Sequence, residues 1–141
     1  MPKHLRVPSA FDLEVLERTL WGEARSEGFV GMRAVAEVIL NRARDGRWPD
    51  SLAEVCMQPL QFSCWNKGDR NHSPMMAVDL SDAAFFLARS AAAYALSDDK
   101  DPTLGANHYF TRSLVGTRNQ PSWYDEAKIT TGVGAHIFLK L

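Results

Sequence analysis

Apolar positions recur at helical spacing twice within the first forty-five residues. Leu13, Leu16, Leu20 and Ala24 follow one another at intervals of three and four, which lines them along one face of an α-helix. Ser9 stands three residues before Asp12, the spacing of a capping box, so a helix is predicted over about residues 10–25. "SEG" interrupts it. Phe29, Met32, Val35, Ala36, Ile39, Leu40 and Ala43 then form a wide apolar face. They predict a second helix over about 28–45, the central buried one, ended by "DGRWPD". Asp50 or Ser51 caps a short third helix, "LAEVCM", stopped by Pro59. "QPLQFSCWNKGDRNHSPM" has no helical period and many turn formers, and reads as a long loop. A fourth helix, over about 80–97, starts at Asp79 or Ser81. Two β-like runs, "ANHYFT" and "AHIFLK", are separated by a loop with Pro121 and Trp123. The expected fold is α+β, mostly α, one domain over residues 1–141 with a small antiparallel β element.

One position breaks the pattern. Glu23 lies seven residues after Leu16 and three after Leu20, within about 20° of the leucine stripe. Glu14 and Glu17 fall off that stripe and read as solvent-facing. Glu37 stands four residues after Arg33 and reads as a solvated ion pair on the polar face of the second helix. A carboxyl group among apolar side chains loses solvation of its charged form, so its pKa rises. An acid still protonated near neutral pH is what glycosidic cleavage needs to protonate the leaving oxygen. The competing reading puts Glu23 at a fraying helix end, pointing into water. Gly22 weakens the helix by about 1 kcal/mol relative to alanine but lets another backbone or a substrate approach. Glu27 would share the face if the helix ran one turn further.

Other candidates cluster in the loop and the strand. Gln61, Phe62, Ser63 and Trp65 combine aromatic faces with amides and hydroxyls, the mixture that binds sugars; equally, the aromatics anchor a loop to the core. "GANHYF" puts His108 and Phe110 on one strand face, Asn107 and Tyr109 on the other. Tyr109 or His108 would hydrogen-bond the glutamate or a substrate, or the histidine serves structure alone. Trp123 is a candidate for a cleft rim. The four histidines and two cysteines show no short metal-ligand spacing, so no metal and no cofactor are expected. No GxSxG motif is present. Cys56 and Cys64, eight apart without a CxxC pattern, are free thiols or one disulfide, and the spacing favours free thiols.

Composition narrows the partners. Hydrophobic residues make up 45% of the 141 and charged residues 23%, with a net charge of −1. No basic surface for nucleic acid is expected, nor membrane insertion, since "AAFFLARSAAAYAL" is too short to span a bilayer. The N-terminal stretch lacks the apolar core of a secretory signal. A monomer is expected.

"WGEARSEGFVGMRAVAEVILNRA", "QPLQFSCW", "GANHYF", "PSW" and "GAHIFLK", in that order, resemble the SleB-type cell-wall hydrolase family. That family includes the catalytic domain of spore-cortex-lytic enzymes and many phage lysins. The likeness runs over about residues 14–139. It implies a lysozyme-like fold and cleavage of peptidoglycan glycan strands between N-acetylmuramic acid and N-acetylglucosamine. It also implies Glu23 as catalytic acid, with Glu27 the next candidate. Ser26 stands where the family often has glycine and Asn107 where threonine is common, departures that bear on substrate preference. A hydrolase usually needs a second carboxylate; Asp69, Asp99, Asp101 and Asp125 lie in loops without a motif. A lytic transglycosylase needs one, which favours that chemistry. The alternatives are a hydrolytic muramidase or a non-catalytic glycan-binding or phage structural module. The expected setting is a protein made in the cytoplasm and acting on the wall. It is either a holin-released phage or prophage endolysin or a mature fragment of an exported protein.

Overall fold

A computed structural model describes residues 4–141; the first three residues of the stretch read for a signal lie outside it. The capping box forms at the start of α1 (Ala10–Ala24). The Ser9 hydroxyl accepts from the Asp12 N–H at 3.0 Å, and Asp12 accepts in return from the Ser9 N–H at 2.9 Å. The other Asp12 oxygen accepts from the Ala53 N–H at 3.1 Å, tying α1 to α3 (Leu52–Cys56). After α1 a single 3₁₀ turn, Arg25–Glu27, leads to Gly28, whose φ of 70° redirects the chain into α2 (Gly28–Ala43).

α2 is the central helix, as its wide apolar face predicts. Met32, Val35, Ile39 and Leu40 are buried with Leu16 and Leu20 of α1 and Ala88, Ala91, Ala92 and Ala95 of α5 (Ala83–Ser97). Small side chains on α5 allow that close packing. α5 starts later than expected because Asp82 is its cap, accepting from the Phe85 N–H at 3.0 Å and the Trp21 Nε1–H at 3.2 Å. Ser81 instead closes a turn on Asp79. The long loop also contains short order: a 3₁₀ turn, Ser63–Trp65, and α4 (His72–Ala77). Both are too short to display a helical period.

The sheet has three antiparallel strands, not two. Their spatial order is β1 (His108–Thr111), β3 (His136–Leu139), β2 (Ile129–Val133). Tyr109 pairs with Phe138, and Val133 with His136. Phe138 packs with Ala34 and Val38, seating one sheet face on α2. Phe110, Ile137 and Leu139 form the other face, covered by Leu114, Trp123 and Tyr124. β2 has a register irregularity after Ile129 and is largely exposed, so no clean alternation marks it.

Two glutamates differ from expectation. Glu17 is half-buried, and burial raises its pKa. Glu37 is not a solvated partner of Arg33: it is 2% exposed. Residues 98–107 cross the supposedly polar face of α2. Arg33 donates to Asp98 at 3.0 Å and to the Lys100 carbonyl at 2.9 Å, and Asn41 to Asp101 at 2.8 Å. Glu37 lies 3.6 Å from Arg33, too far for a hydrogen bond. Burial foremost, and then Asp101, push its carboxyl up to about 7, opposed by Arg33 and Arg44.

Candidate active site

Gly22 and Glu23 together shape the end of α1. A Cβ on Gly22 would lie 2.8 Å from Cys64 Cβ and 2.9 Å from its Sγ. The missing side chain is therefore the space that Cys64 fills. With Cys64 seated there, its backbone N–H donates to Glu23 Oε1 at 3.1 Å. The same turn is fastened twice more. Trp65 Nε1–H donates to Thr19 Oγ1 at 2.9 Å, and His72 Nδ1 lies 3.1 Å from the Cys64 carbonyl. Glu23 is half-buried and opens into a cleft of about 300 Å³, lined also by Gly22, Arg25, Ser26, Arg70 and Asn71. Arg25 stacks over Trp21 at 4.0 Å and donates to Asn71 at 2.8 Å, forming one wall.

A second cleft, about 360 Å³, is lined by Arg42, Leu60, Gln61, Phe62, His108, Tyr109 and Trp123. Five residues singled out in the sequence meet here: Gln61, Phe62, His108, Tyr109 and Trp123. Ser63 is exposed on the turn, and Trp65 turns its indole N–H inward to Thr19; neither lines this cleft. The His108 ring lies 4.8 Å from Trp123 and 5.9 Å from Trp48. Burial, then Arg42 and Arg47, pull its pKa down to about 4, so the imidazole is neutral at neutral pH. Tyr109 stacks on Phe138 at 5.7 Å and meets His136 edge-on at 5.3 Å. Burial, reinforced by the Glu23 carboxylate and opposed by Arg42, drives its phenol well above the ordinary range. Tyr109 is thus within electrostatic reach of both Glu23 and Arg42.

Glu27 does not join Glu23, because α1 stops at Ala24. Its Oε1 accepts from the Ala135 N–H at 3.0 Å and lies 3.0 Å from His136 Nδ1. It clasps the β2–β3 hairpin to the helix elbow. Among the described residues, Glu23 is the only carboxylate lining either cleft. Asp69, Asp101 and Asp125 accept from backbone N–H groups in their own turns. The Asn107 side chain is committed to the Leu141 backbone, accepting at 2.9 Å and donating at 3.0 Å. Cys56 and Cys64 are buried free thiols. Burial pushes Cys56 up to about 12; Cys64 is raised by burial and then by the adjoining Glu23.

Arg42 is a cleft residue that the sequence reading passed over. It lies seven residues after Val35 and three after Ile39, so the periodicity that isolates Glu23 isolates Arg42 as well. His136 offered no comparable signal.

A cell wall hydrolase family model matches residues 26–139, beginning three residues past Glu23. The spore cortex-lytic enzyme of Halalkalibacterium halodurans is 31% identical over 139 residues, covering 96% of this chain and 38% of that protein. The spore cortex-lytic enzyme of Bacillus subtilis is 32% identical over 127 residues, covering 90% and 37%. The chain therefore spans less than half the length of these curated relatives. The catalytic domain of the germination-specific lytic transglycosylase SleB from Bacillus anthracis superposes with a TM-score of 0.72 at 26% identity, covering 95% of this chain and 100% of that one. The catalytic domain of the Bacillus cereus SleB protein superposes at 0.71 and 25% identity, covering 96% and 94%. The shared architecture is lysozyme-like α+β.

Proposed function

This chain belongs to the cell wall hydrolase family, and from that premise we propose that it cuts peptidoglycan glycan strands as a lytic transglycosylase, with Glu23 as its acid/base. The strand lies across the Glu23 cleft with its muramic acid and N-acetylglucosamine on either side of the carboxyl. Protonated Glu23 gives its proton to the glycosidic oxygen as the bond from C1 of the muramic acid breaks. The resulting carboxylate then takes the proton of the C6 hydroxyl as that oxygen bonds to C1. A 1,6-anhydro ring closes, no water is consumed, and Glu23 ends protonated as it began. The Cys64 N–H holds Glu23 Oε1 and so fixes the direction in which the carboxyl meets the sugar. The neutral Tyr109 phenol and His108 imidazole supply hydrogen-bonding groups, and Trp123 an aromatic face, for the strand in the adjoining cleft.

The observation that carries this reading is the lone carboxylate: Glu23 has no acidic companion in either cleft among the described residues. A hydrolase would need a base or nucleophile opposite it, and Glu27 is engaged at the hairpin. We place the protein's action at the cell wall, as one catalytic domain working as a monomer on peptidoglycan. Release from a host cell as a phage or prophage endolysin fits that action. Among the described residues no helix is long and apolar enough to cross a membrane. The test is mass spectrometry of fragments released from purified peptidoglycan by the wild type and by Glu23→Gln. The wild type should leave 1,6-anhydro-muramic ends, and the variant should release none. Reducing ends, one water heavier, would mean hydrolysis. Undiminished cutting by Glu23→Gln would remove Glu23 from the mechanism.

A further inference from the structure

Arg42 is a buried cation that no carboxylate pairs with among the described residues. The residue is 6% exposed. Nε donates to the Asn107 carbonyl at 2.7 Å and Nη1 to Gln61 Oε1 at 3.1 Å; both acceptors are neutral. Among the described residues Nη2 has no hydrogen-bond partner and no ion pair includes Arg42. The rings of Trp48 and Phe62 lie 5.5 Å and 5.9 Å from the guanidinium carbon and offset part of its lost hydration. A charge taken out of water without a counter-ion is strongly unfavourable. Here the guanidinium keeps one open side, into the cleft it shares with Gln61, His108, Tyr109 and Trp123. Those neighbours are all neutral at neutral pH, so an anion entering the cleft meets one cation in its lining and no carboxylate, the nearest being Glu23 of the adjoining cleft.

We propose that Arg42 is the anchor of a carboxylate-binding subsite beside Glu23, taking an acidic group borne on the lactyl arm of the muramic acid. The inference rests on the reading that a peptidoglycan strand occupies these clefts. A guanidinium suits a carboxylate because its planar N–H groups match the two oxygens. Gln61, held by Nη1, presents its amide N–H groups beside it. N-acetylglucosamine has no acidic substituent, so the subsite sets the register of the strand: it marks which sugar carries the C6 hydroxyl that Glu23 must deprotonate. Two carboxylates share this chemistry, that of the lactyl arm itself on peptide-free strands and those of the attached stem peptide.

Four substrates separate the possibilities: peptide-bearing strands, the same strands with their carboxylates amidated, peptide-stripped strands, and stripped strands with the lactyl carboxylate amidated. KM and kcat are measured for the wild type from anhydro-end formation. Amidation should raise KM about tenfold, the loss of one charged hydrogen-bonded pair, with kcat within about twofold. An effect confined to peptide-bearing strands assigns the stem peptide; an effect on stripped strands assigns the lactyl carboxylate. In Arg42→Gln, KM on native strands should rise to the amidated value and amidation should change nothing further, while Arg42→Lys should recover part of the loss. The wild-type comparison does not depend on how either variant folds. Equal KM for native and amidated strands overturns the subsite and leaves Glu23 untouched. Failure to cut any of the four strands overturns the transglycosylase reading, and the subsite with it.

Discussion

Glu23 and Glu37 are two glutamates drawn out of bulk water on adjacent helices, and they are held in opposite ways. Glu37 is sealed beneath residues 98–107, with one carboxyl oxygen lacking any hydrogen bond and its pKa pushed up to about 7 by burial. Glu23 is half-buried, receives one backbone N–H, and opens to a cleft. If a displaced pKa alone marked a catalytic acid, Glu37 would be the choice. No substrate can reach it. Burial sets how readily a carboxyl holds a proton; a catalytic acid also needs an open face and a fixed direction.

The largest expected effect breaks that comparison at Glu23. Glu23→Gln keeps the shape of the side chain and should cut strand cleavage by about 10²–10⁴-fold with an unchanged unfolding midpoint. Glu37→Gln should leave the rate within about twofold, both read from fragment release.

Stability should respond in the reverse sense. The folded pKa of Glu37, about 7, lies above the ordinary 4.5. Between these values the native state keeps a proton that the unfolded chain releases. Stability is therefore lost as pH rises through that window, and the loss is complete above 7. Glu37→Gln should flatten this limb and stabilise the protein at pH 8, by ~3 kcal/mol at most. Thermal unfolding from pH 4.5 to 8 checks it. His108 has the opposite sign. Its pKa falls from 6.5 to about 4, so its contribution is present above 6.5 and lost as pH falls toward 4. His108→Gln should flatten the acid limb of the same titration.

Gly22→Ala probes what aims Glu23. Alanine improves helix propensity by about 1 kcal/mol, but its Cβ would meet Cys64 at 2.8 Å. Overpacking should win, with a net loss of about 1 kcal/mol in denaturant midpoint. The rate should fall as well, since the displaced turn carries the N–H bonded to Glu23. The smallest effect is expected for Trp65→Phe, which removes the indole donor to Thr19 at a cost of about 1 kcal/mol in the same unfolding experiment.

The helices α1 and α2 were legible because each runs at least four turns with an unbroken apolar stripe. The direction of Glu23 followed from the same stripe. Arg42 stands on the apolar stripe of α2 by the same spacing, seven after Val35 and three after Ile39, so its position is as legible as that of Glu23. Glu37 was misread for a physical reason: the cover over it comes from residues 98–107, a contact between distant parts of the chain that no local spacing encodes. β2 has no local signal because Ile129 and Gly132 are exposed and Thr130 and Thr131 half-buried, a pattern without clean alternation. Glu27 was placed near Glu23 by extending α1 one turn, and the chain instead turns at Gly28. The five residues sharing the Arg42 cleft were named from side-chain chemistry, but their meeting depends on how the sheet docks on α2.

In the proposed mechanism Glu23 alone moves both protons and water is not the nucleophile. Digesting purified peptidoglycan in water enriched in heavy oxygen tests it directly. Transglycosylation by Glu23 should leave 1,6-anhydro-muramic ends that carry no heavy oxygen. Reducing ends bearing one heavy oxygen each would rule it out, and would call for a base or nucleophile besides Glu23, the one carboxylate lining these clefts among the described residues.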